Sequence, residues 1–181
     1  MEIFCSFRNN KEYSTLEYLS LILDKYYGFT EPVEMLFNAW GKPSIKNSTL
    51  MFNCSHSFGL LACAIADFEI GIDVQRVSKR KNGIVNHYFT KNEIKFLSST
   101  VSEPQNFTII WTRKEAFGKW VGLGLTEEIL SKCTVSMKNL RTFHFDDYYL
   151  SICCEGASRV DVNFNPVNFE AIFEEINVIS I

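Results

Sequence analysis

Four short segments of this chain bring together residue types that can bind ions and move protons. The first is Gly71-Ile72-Asp73-Val74-Gln75-Arg76, which sets an aspartate inside an apolar, β-branched run where aspartate is disfavoured. As a strand, this run puts Gly71, Asp73 and Gln75 on one face and Ile72 and Val74 on the other. A carboxylate held there needs a partner, and a bound cation or a structural salt bridge would each supply one. Gly71 removes a side chain beside it and lets a ligand come close. The second segment runs from Trp111 to Gly122. At about 100° per residue, Trp111, Lys114, Glu115, Gly118 and Gly122 share one helical arc, with Lys119 flanking it one turn after Glu115. Ile110, Phe117, Trp120 and Val121 form a second arc suited to a core. Glu115 can hold a cation while Lys114 and Lys119 hold anions; ordinary surface pairing at i,i+4 is the alternative. Gly118 costs a helix about 1 kcal/mol relative to Ala, which signals close passage of another element or a ligand.

The third segment is Phe52-Asn53-Cys54-Ser55-His56-Ser57, where Ser55, His56 and Ser57 can donate to phosphate oxygens. A strand-ending turn with a solvated histidine would read the same way. The fourth, Gly41-Lys42-Pro43, is a turn carrying one basic residue. A hydrolase is a competing class, because Cys54, Ser55 and Ser57 lie near His56 in sequence. No G-x-S-x-G elbow accompanies them. The six cysteines include no C-x-x-C pair, and His56, His87 and His144 are widely spaced, so no zinc template is present. Most of the cysteines read as small core hydrophobes.

The elements that must position these segments make an α+β chain with antiparallel hairpins and packed helices. Residues 1–7 read as a strand. Thr15–Tyr27 reads as a helix stopped by Gly28. Residues 32–37 and 49–53 are short extended segments. Residues 60–67 and 70–74 read as two strands joined by Phe68-Glu69 into a hairpin. Residues 79–83 form a polar loop and a seam between two halves, 1–81 and 82–181. Residues 90–98 are a helix with Thr90 and Glu93 as a capping box. A longer helix within residues 103–121 ends at Gly122-Leu123-Gly124. Residues 134–145, 148–154 and 160–164 read as strands, and the tail at 169–181 is too short to classify.

Composition bounds the function. The 181 residues are 46% hydrophobic, 14% aromatic and 22% charged, which is globular rather than disordered. Eighteen basic against 21 acidic residues, a formal charge of −3, argue against a general nucleic-acid binder. No apolar run reaches the roughly 20 residues of a membrane span. Glu2 and Arg8 break any signal-peptide pattern at the start. The expectation is a cytoplasmic protein with no nucleic-acid or membrane partner.

In order, the segments GKP, FNCSHS, GIDVQ and WTRKEAFGKWVGLGL, with FTKNE between the last two, resemble the 4′-phosphopantetheinyl transferase superfamily, in particular its surfactin-synthetase-activating type. The likeness spans residues 41–125. It implies a Mg²⁺-dependent enzyme that moves the phosphopantetheine arm of coenzyme A onto a serine of an apo acyl or peptidyl carrier protein and releases 3′,5′-ADP. It further implies a monomer of two similar α+β halves with coenzyme A in the cleft between them. On this resemblance Asp73 and Glu115 are metal ligands, and Gln75 is a third candidate ligand where an acid is usual: its amide oxygen can still coordinate, or a water replaces it. Lys42, Ser55 and His56 contact the nucleotide and its 3′-phosphate. Lys114 and Lys119 lie near the phosphates, and Glu115 and Lys119 are catalytic. Relatives carry a basic stretch before the Gly41 turn; here that region holds Arg8, Lys11 and Lys25. The missing acid at position 75 leaves a second reading, a weakly catalytic relative that binds coenzyme A or a carrier protein. The basic row within residues 76–81 is either a solvated loop or an attraction for an acidic carrier or for nucleotide phosphates.

Overall fold

The fold is seen in a computed structural model that describes residues 1–7, 14–79, 81–99, 102–167 and 179–180. Arg8, Lys11, Arg80 and all but two residues of the 169–181 tail lie outside the described residues. The chain opens with β1 (Glu2–Phe7) and α1 (Thr15–Tyr27). Ser14 and Glu17 close a capping box at the start of this helix, and Gly28 ends it in the left-handed conformation, φ 71°. A two-stranded ribbon follows, β2 (Met35–Phe37) and β3 (Pro43–Ile45), then β4 (Met51–Ser57), β5 (Leu60–Ala66) and β6 (Gly71–Arg76). Three helices come next: α2 (Asn82–Tyr88), α3 (Lys91–Leu97) and α4 (Glu103–Val121). The chain continues through α5 (Glu127–Leu130), β7 (Leu140–Phe145) and β8 (Tyr148–Cys153). A 3₁₀ turn at Ala157–Arg159, β9 (Asn163–Pro166) and β10 (Ile179–Ser180) complete the described elements.

Two four-stranded sheets result, ordered β4-β5-β1-β9 and β10-β7-β8-β6. One connection pattern occurs in both. A strand, a long helix and a hairpin follow one another, and the last strand inserts antiparallel between the other two. β5 lies between β1 and β4, and β8 lies between β6 and β7. β6 pairs with β8, so by hydrogen bonding it belongs to the second sheet although it precedes the 79–83 loop. β9 returns to the first sheet parallel to β1.

Residues 60–67 and 70–74 do not form the hairpin expected of them. Every residue of β5 is buried, and both its edges are occupied, by β4 and β1, so no edge remains for β6. The hairpin partner of β5 is β4, through Phe58-Gly59 with φ of 44° and 88°. Positive φ at both central residues matches the turn twist that two antiparallel strands require. The expected loop at 79–83 is in part the start of α2, and residues 134–139 are turns rather than strand.

Alternation along the strands explains the layering. Leu61, Cys63 and Ile65 of β5 face Tyr18, Leu19, Ile22 and Leu23 of α1. Leu60, Ala62 and Ala64 instead share a core with Ile72, Val74, Leu150 and Ile152 of the second sheet. On the far side of that sheet, Ala116, Phe117 and Trp120 of α4 cluster with Leu140 and Cys153. The order is helix, sheet, sheet, helix, with α2 and α3 packed against α4 through Val85, Phe89, Leu97, Phe107 and Ile110. All six cysteines are free, and Cys5, Cys63, Cys153 and Cys154 are buried.

Candidate active site

Two glycines set how close the functional elements come. A Cβ on Gly71 would lie 2.1 Å from the Ala116 carbonyl oxygen and 2.4 Å from the Trp120 nitrogen. The close approach anticipated at Gly71 is therefore that of the α4 backbone, not of a ligand. At Gly118 a Cβ would lie 2.5 Å from the Gly124 carbonyl oxygen. With no side chain at 71, α4 lies directly on β6 and brings Glu115 and Lys119 to Asp73.

Asp73 is only 1% exposed. Its Oδ1 accepts from Lys119 Nζ at 2.8 Å and from Ser55 Oγ at 2.7 Å, and its Oδ2 accepts from Gln75 Nε2 at 3.2 Å. Glu115 lies beside Asp73, Lys119 and the Trp111 side chain, all close enough to act on its carboxyl. Burial, then the neighbouring Asp73 charge, pushes the Glu115 carboxyl up to about 8, against the pull of Lys119. Two carboxyl groups thus crowd one buried spot with a single ammonium between them. Ser55, His56, Asp73, Gln75, Glu115 and Lys119 all border a cavity of about 340 Å³, together with Cys54 and Thr15.

A second cavity of about 350 Å³ shares Thr15, Cys54 and Lys119 with the first and is bordered by Phe37, Trp40, Lys42, Asn53 and Gly122. Lys42 opens onto this neighbour rather than onto the carboxylates. Its Nζ donates to Glu69 Oε2 at 2.5 Å and to the Trp120 carbonyl oxygen at 3.1 Å. Asn38 builds its turn: Oδ1 accepts from the Trp40 and Lys42 nitrogens, and Nδ2 donates to the Gly122 carbonyl oxygen at 2.9 Å. Asn38 was not among the expected site residues, although an asparagine ahead of a glycine-proline turn is a recognised turn signal.

Lys114 does not join the cluster. Both Lys114 and Glu93 are 0% exposed, and Lys114 Nζ lies 3.0 Å from Glu93 Oε2. It also donates to the carbonyl oxygens of Leu130 at 2.7 Å and Lys132 at 2.8 Å. Those contacts use all three ammonium protons, so as placed it has none left for a phosphate. Ser55 likewise spends its one hydroxyl proton on Asp73, while its oxygen accepts from the Val74 nitrogen at 3.3 Å. His56, on the opposite side of β4, is exposed. Neither Ser55 nor Ser57 is placed as a nucleophile beside His56, because both turn toward β6 and accept from its backbone nitrogens.

A hard divalent cation fits the carboxyl pair. Mg²⁺ takes one or two protein carboxylates and fills its remaining positions with water and phosphate oxygens. Among the described residues no group of three or more His, Cys, Asp or Glu side chains could hold a metal.

Comparison with known proteins gives the same direction. The 4′-phosphopantetheinyl transferase superfamily matches residues 69–163, which hold Asp73, Glu115 and Lys119. The chain belongs to the 4′-phosphopantetheinyl transferase superfamily. Among relatives within it, the 4′-phosphopantetheinyl transferase ffp of Bacillus subtilis is 32% identical over 171 residues, covering 84% of this chain and 76% of its own. The 4′-phosphopantetheinyl transferase gsp of Aneurinibacillus migulanus is 36% identical over 90 residues, 49% of this chain and 38% of that protein. A further Bacillus subtilis 4′-phosphopantetheinyl transferase is 29% identical over 160 residues, 73% and 70% of the two chains. This superfamily member therefore spans well under half of the gsp protein but about three quarters of ffp. No helix among its described residues is long and apolar enough to cross a membrane.

Proposed function

We propose that this chain moves the 4′-phosphopantetheine arm of coenzyme A onto a serine of an apo acyl or peptidyl carrier protein and releases 3′,5′-ADP. The observation that carries the reading is the carboxyl pair of buried Asp73 and half-buried Glu115 beside Lys119 at the edge of a cavity. The two β-α-β-β repeats would be the two halves of a monomer, with coenzyme A in the cleft formed by the two neighbouring cavities that share Thr15, Cys54 and Lys119.

Asp73 and Glu115 would hold Mg²⁺, which when bound neutralises charge on the diphosphate. Lys119, 28% exposed at its side chain, reaches from the pair into the cavity and stabilises charge on the departing nucleotide. Glu115, directly or through a water held at the cation, is also the candidate base for the proton of the carrier's serine hydroxyl. His56, at the first cavity, and Lys42, at the second, bind the nucleotide and its 3′-phosphate. For Lys42 this means exchanging the exposed Glu69 for a phosphate. Gln75 keeps Asp73 oriented. Arg76, Lys79 and Lys81 are exposed and present positive charge to an acidic carrier.

The test is incubation with coenzyme A, Mg²⁺ and a panel of apo carrier proteins, read by mass spectrometry. Gain of one phosphopantetheine mass on a carrier supports the reading. Tight coenzyme A binding with no mass gain on any carrier overturns it in favour of a non-catalytic binder, the reading that Gln75 in place of an acid favours.

A further inference from the structure

The edge strands β4 and β6 do not pair by backbone ladder. Side chains bridge them instead. Asn53 Oδ1 accepts from the Ile72 nitrogen at 2.9 Å, Ser55 Oγ from the Val74 nitrogen at 3.3 Å, and Ser57 Oγ from the Arg76 nitrogen at 3.1 Å. Each rung spans 19 residues, so the two strands run in the same direction with alternate side chains of one reaching alternate backbone nitrogens of the other. The nitrogens of 72, 74 and 76 are those that face away from β8. The three polar side chains therefore satisfy an edge that would otherwise be left unpaired inside the protein.

Only the middle rung touches the site. Ser55 is 8% exposed and uses both of its hydrogen-bonding functions: it accepts from Val74 and donates to Asp73 Oδ1 at 2.7 Å. Gln75 holds the other oxygen, Oδ2. From this geometry we infer that Ser55 is a positioning residue, which fixes the Asp73 carboxylate across the seam between the two sheets. Its hydroxyl proton is committed to Asp73 and does not serve a coenzyme A phosphate. The inference rests on the reading of Asp73 as a cation ligand and gives Ser55 a different task from the nucleotide contact that the family resemblance implies.

The consequence is a link between the sheets at the carboxylate. Asn53 and Ser57 hold the strands together above and below. Ser55 alone ties the orientation of Asp73 to the strand that also carries His56. Without its hydroxyl, Oδ1 keeps Lys119, which reaches it from the end of a long flexible stem, and the carboxylate loses its short, strand-borne donor.

The experiment compares Ser55→Ala, Ser55→Thr and Ser57→Ala with the wild-type protein. Mn²⁺ binding is read by electron paramagnetic resonance, the half-saturating Mg²⁺ concentration by transfer rate, and KM with coenzyme A and with 3′-dephospho-coenzyme A. A hydrogen bond to a charged group is worth a factor of about ten or more. Ser55→Ala should weaken Mn²⁺ binding about tenfold and raise the Mg²⁺ requirement in parallel, and Ser55→Thr should restore both. Ser57→Ala removes a rung away from Asp73 and should lower the melting temperature without moving either cation readout. Unchanged Mn²⁺ affinity in folded Ser55→Ala overturns the inference, and a rise in coenzyme A KM that vanishes with the dephospho analogue returns Ser55 to the phosphate. Absence of Mn²⁺ binding in the wild-type protein would overturn the cation reading itself.

Discussion

Helix α4 carries two lysine–glutamate pairings that end in opposite circumstances. Glu93, paired with Lys114, has Oε1 bonded to the nitrogen and hydroxyl of Thr134 and Oε2 bonded to the nitrogen and hydroxyl of Thr90. Lys114 closes the set, and burial lowers its proton affinity against the pull of Glu93. Every polar atom there has a protein partner, and the pair locks α3, α4 and the 130–134 loop together. One turn further along, Lys119 and Glu115 share Asp73 and border an open cavity. Here two acids compete for one ammonium and one of them holds a proton. The residue types match, but charge balance and access differ: one acid with one ammonium, sealed from solvent, fixes structure, whereas two acids with one ammonium at a cavity leave room for a cation.

The strongest way to break this comparison is to remove one member from each pairing. Lys114→Met leaves Glu93 buried without its cation, and loss of one partner of a buried pair costs about 3–5 kcal/mol. Denaturant unfolding should show that loss. Glu115→Gln should do the reverse. It relieves a carboxyl pair, so stability should hold or rise, while transfer falls by about 10²–10⁴-fold, the usual contribution of a positioned base. If Lys114→Met were stable and Glu115→Gln active, the roles assigned to the two pairings would be exchanged.

The pH dependence of stability separates them further. The folded Glu115 carboxyl titrates at about 8 against an ordinary value of 4.5. Between those values the folded state holds a proton that the unfolded state has released. Stability from this group is therefore full below the ordinary value and is lost as pH rises toward 8, with a limiting slope of about 1.4 kcal/mol per pH unit. The difference between wild type and Glu115→Gln in unfolding free energy, measured from pH 5 to 9 without divalent cation, should show this slope. Mg²⁺ should flatten it, because a cation takes the proton's place. A difference independent of pH would mean that the two carboxyls are not in contact.

Much of this was legible in the sequence where local chemistry decides. Gly28, Thr90 with Glu93, and Gly122 mark helix ends through groups within a few residues of each other. Asp73, out of place in an apolar strand, announced a partner. What failed depends on depth and on distant partners. Lys114 and Lys119 lie near one arc, and periodicity does not tell which is covered by α3. The expected β5–β6 hairpin does not form, because a short loop does not by itself decide pairing. The seven consecutive buried residues of β5 demanded two neighbours, and Phe58-Gly59 already provided the turn to one of them. Gly71 and Gly118 correctly signalled close approach, but residue type alone did not say that backbone was the neighbour.

A smaller effect is expected on the nucleotide side of the site. Lys42→Ala and His56→Ala should raise KM for coenzyme A about ten- to a hundredfold, the value of a charge-assisted hydrogen bond, with kcat less affected. The effect should shrink with 3′-dephospho-coenzyme A. Because Lys42 also donates to Glu69, Glu69→Gln should lower KM modestly by freeing the ammonium. A fall in kcat without change in KM for His56→Ala would move that residue from the nucleotide to the reacting centre.

The smallest change tests the edge of the open cluster. Gln75 donates through Nε2 to Asp73 Oδ2, so its side chain already lies against the carboxylate pair. Gln75→Glu keeps nearly the same volume, replaces that donor by an acceptor and adds one negative charge. Without divalent cation the variant should be less stable than wild type above neutral pH, because a third acid joins two that already repel. With cation the order reverses, since a hard ion binds a carboxylate more strongly than an amide. The half-saturating Mg²⁺ concentration for transfer should therefore fall. The rate at saturation need not rise, because the added charge also opposes the incoming diphosphate. Titrating Mg²⁺ against both melting temperature and transfer rate separates the two consequences. A Mg²⁺ requirement that stays the same or rises would place the Gln75 side chain outside the ion's reach, leaving Asp73 and Glu115 as the protein's ligands and Gln75 as a group that only orients Asp73.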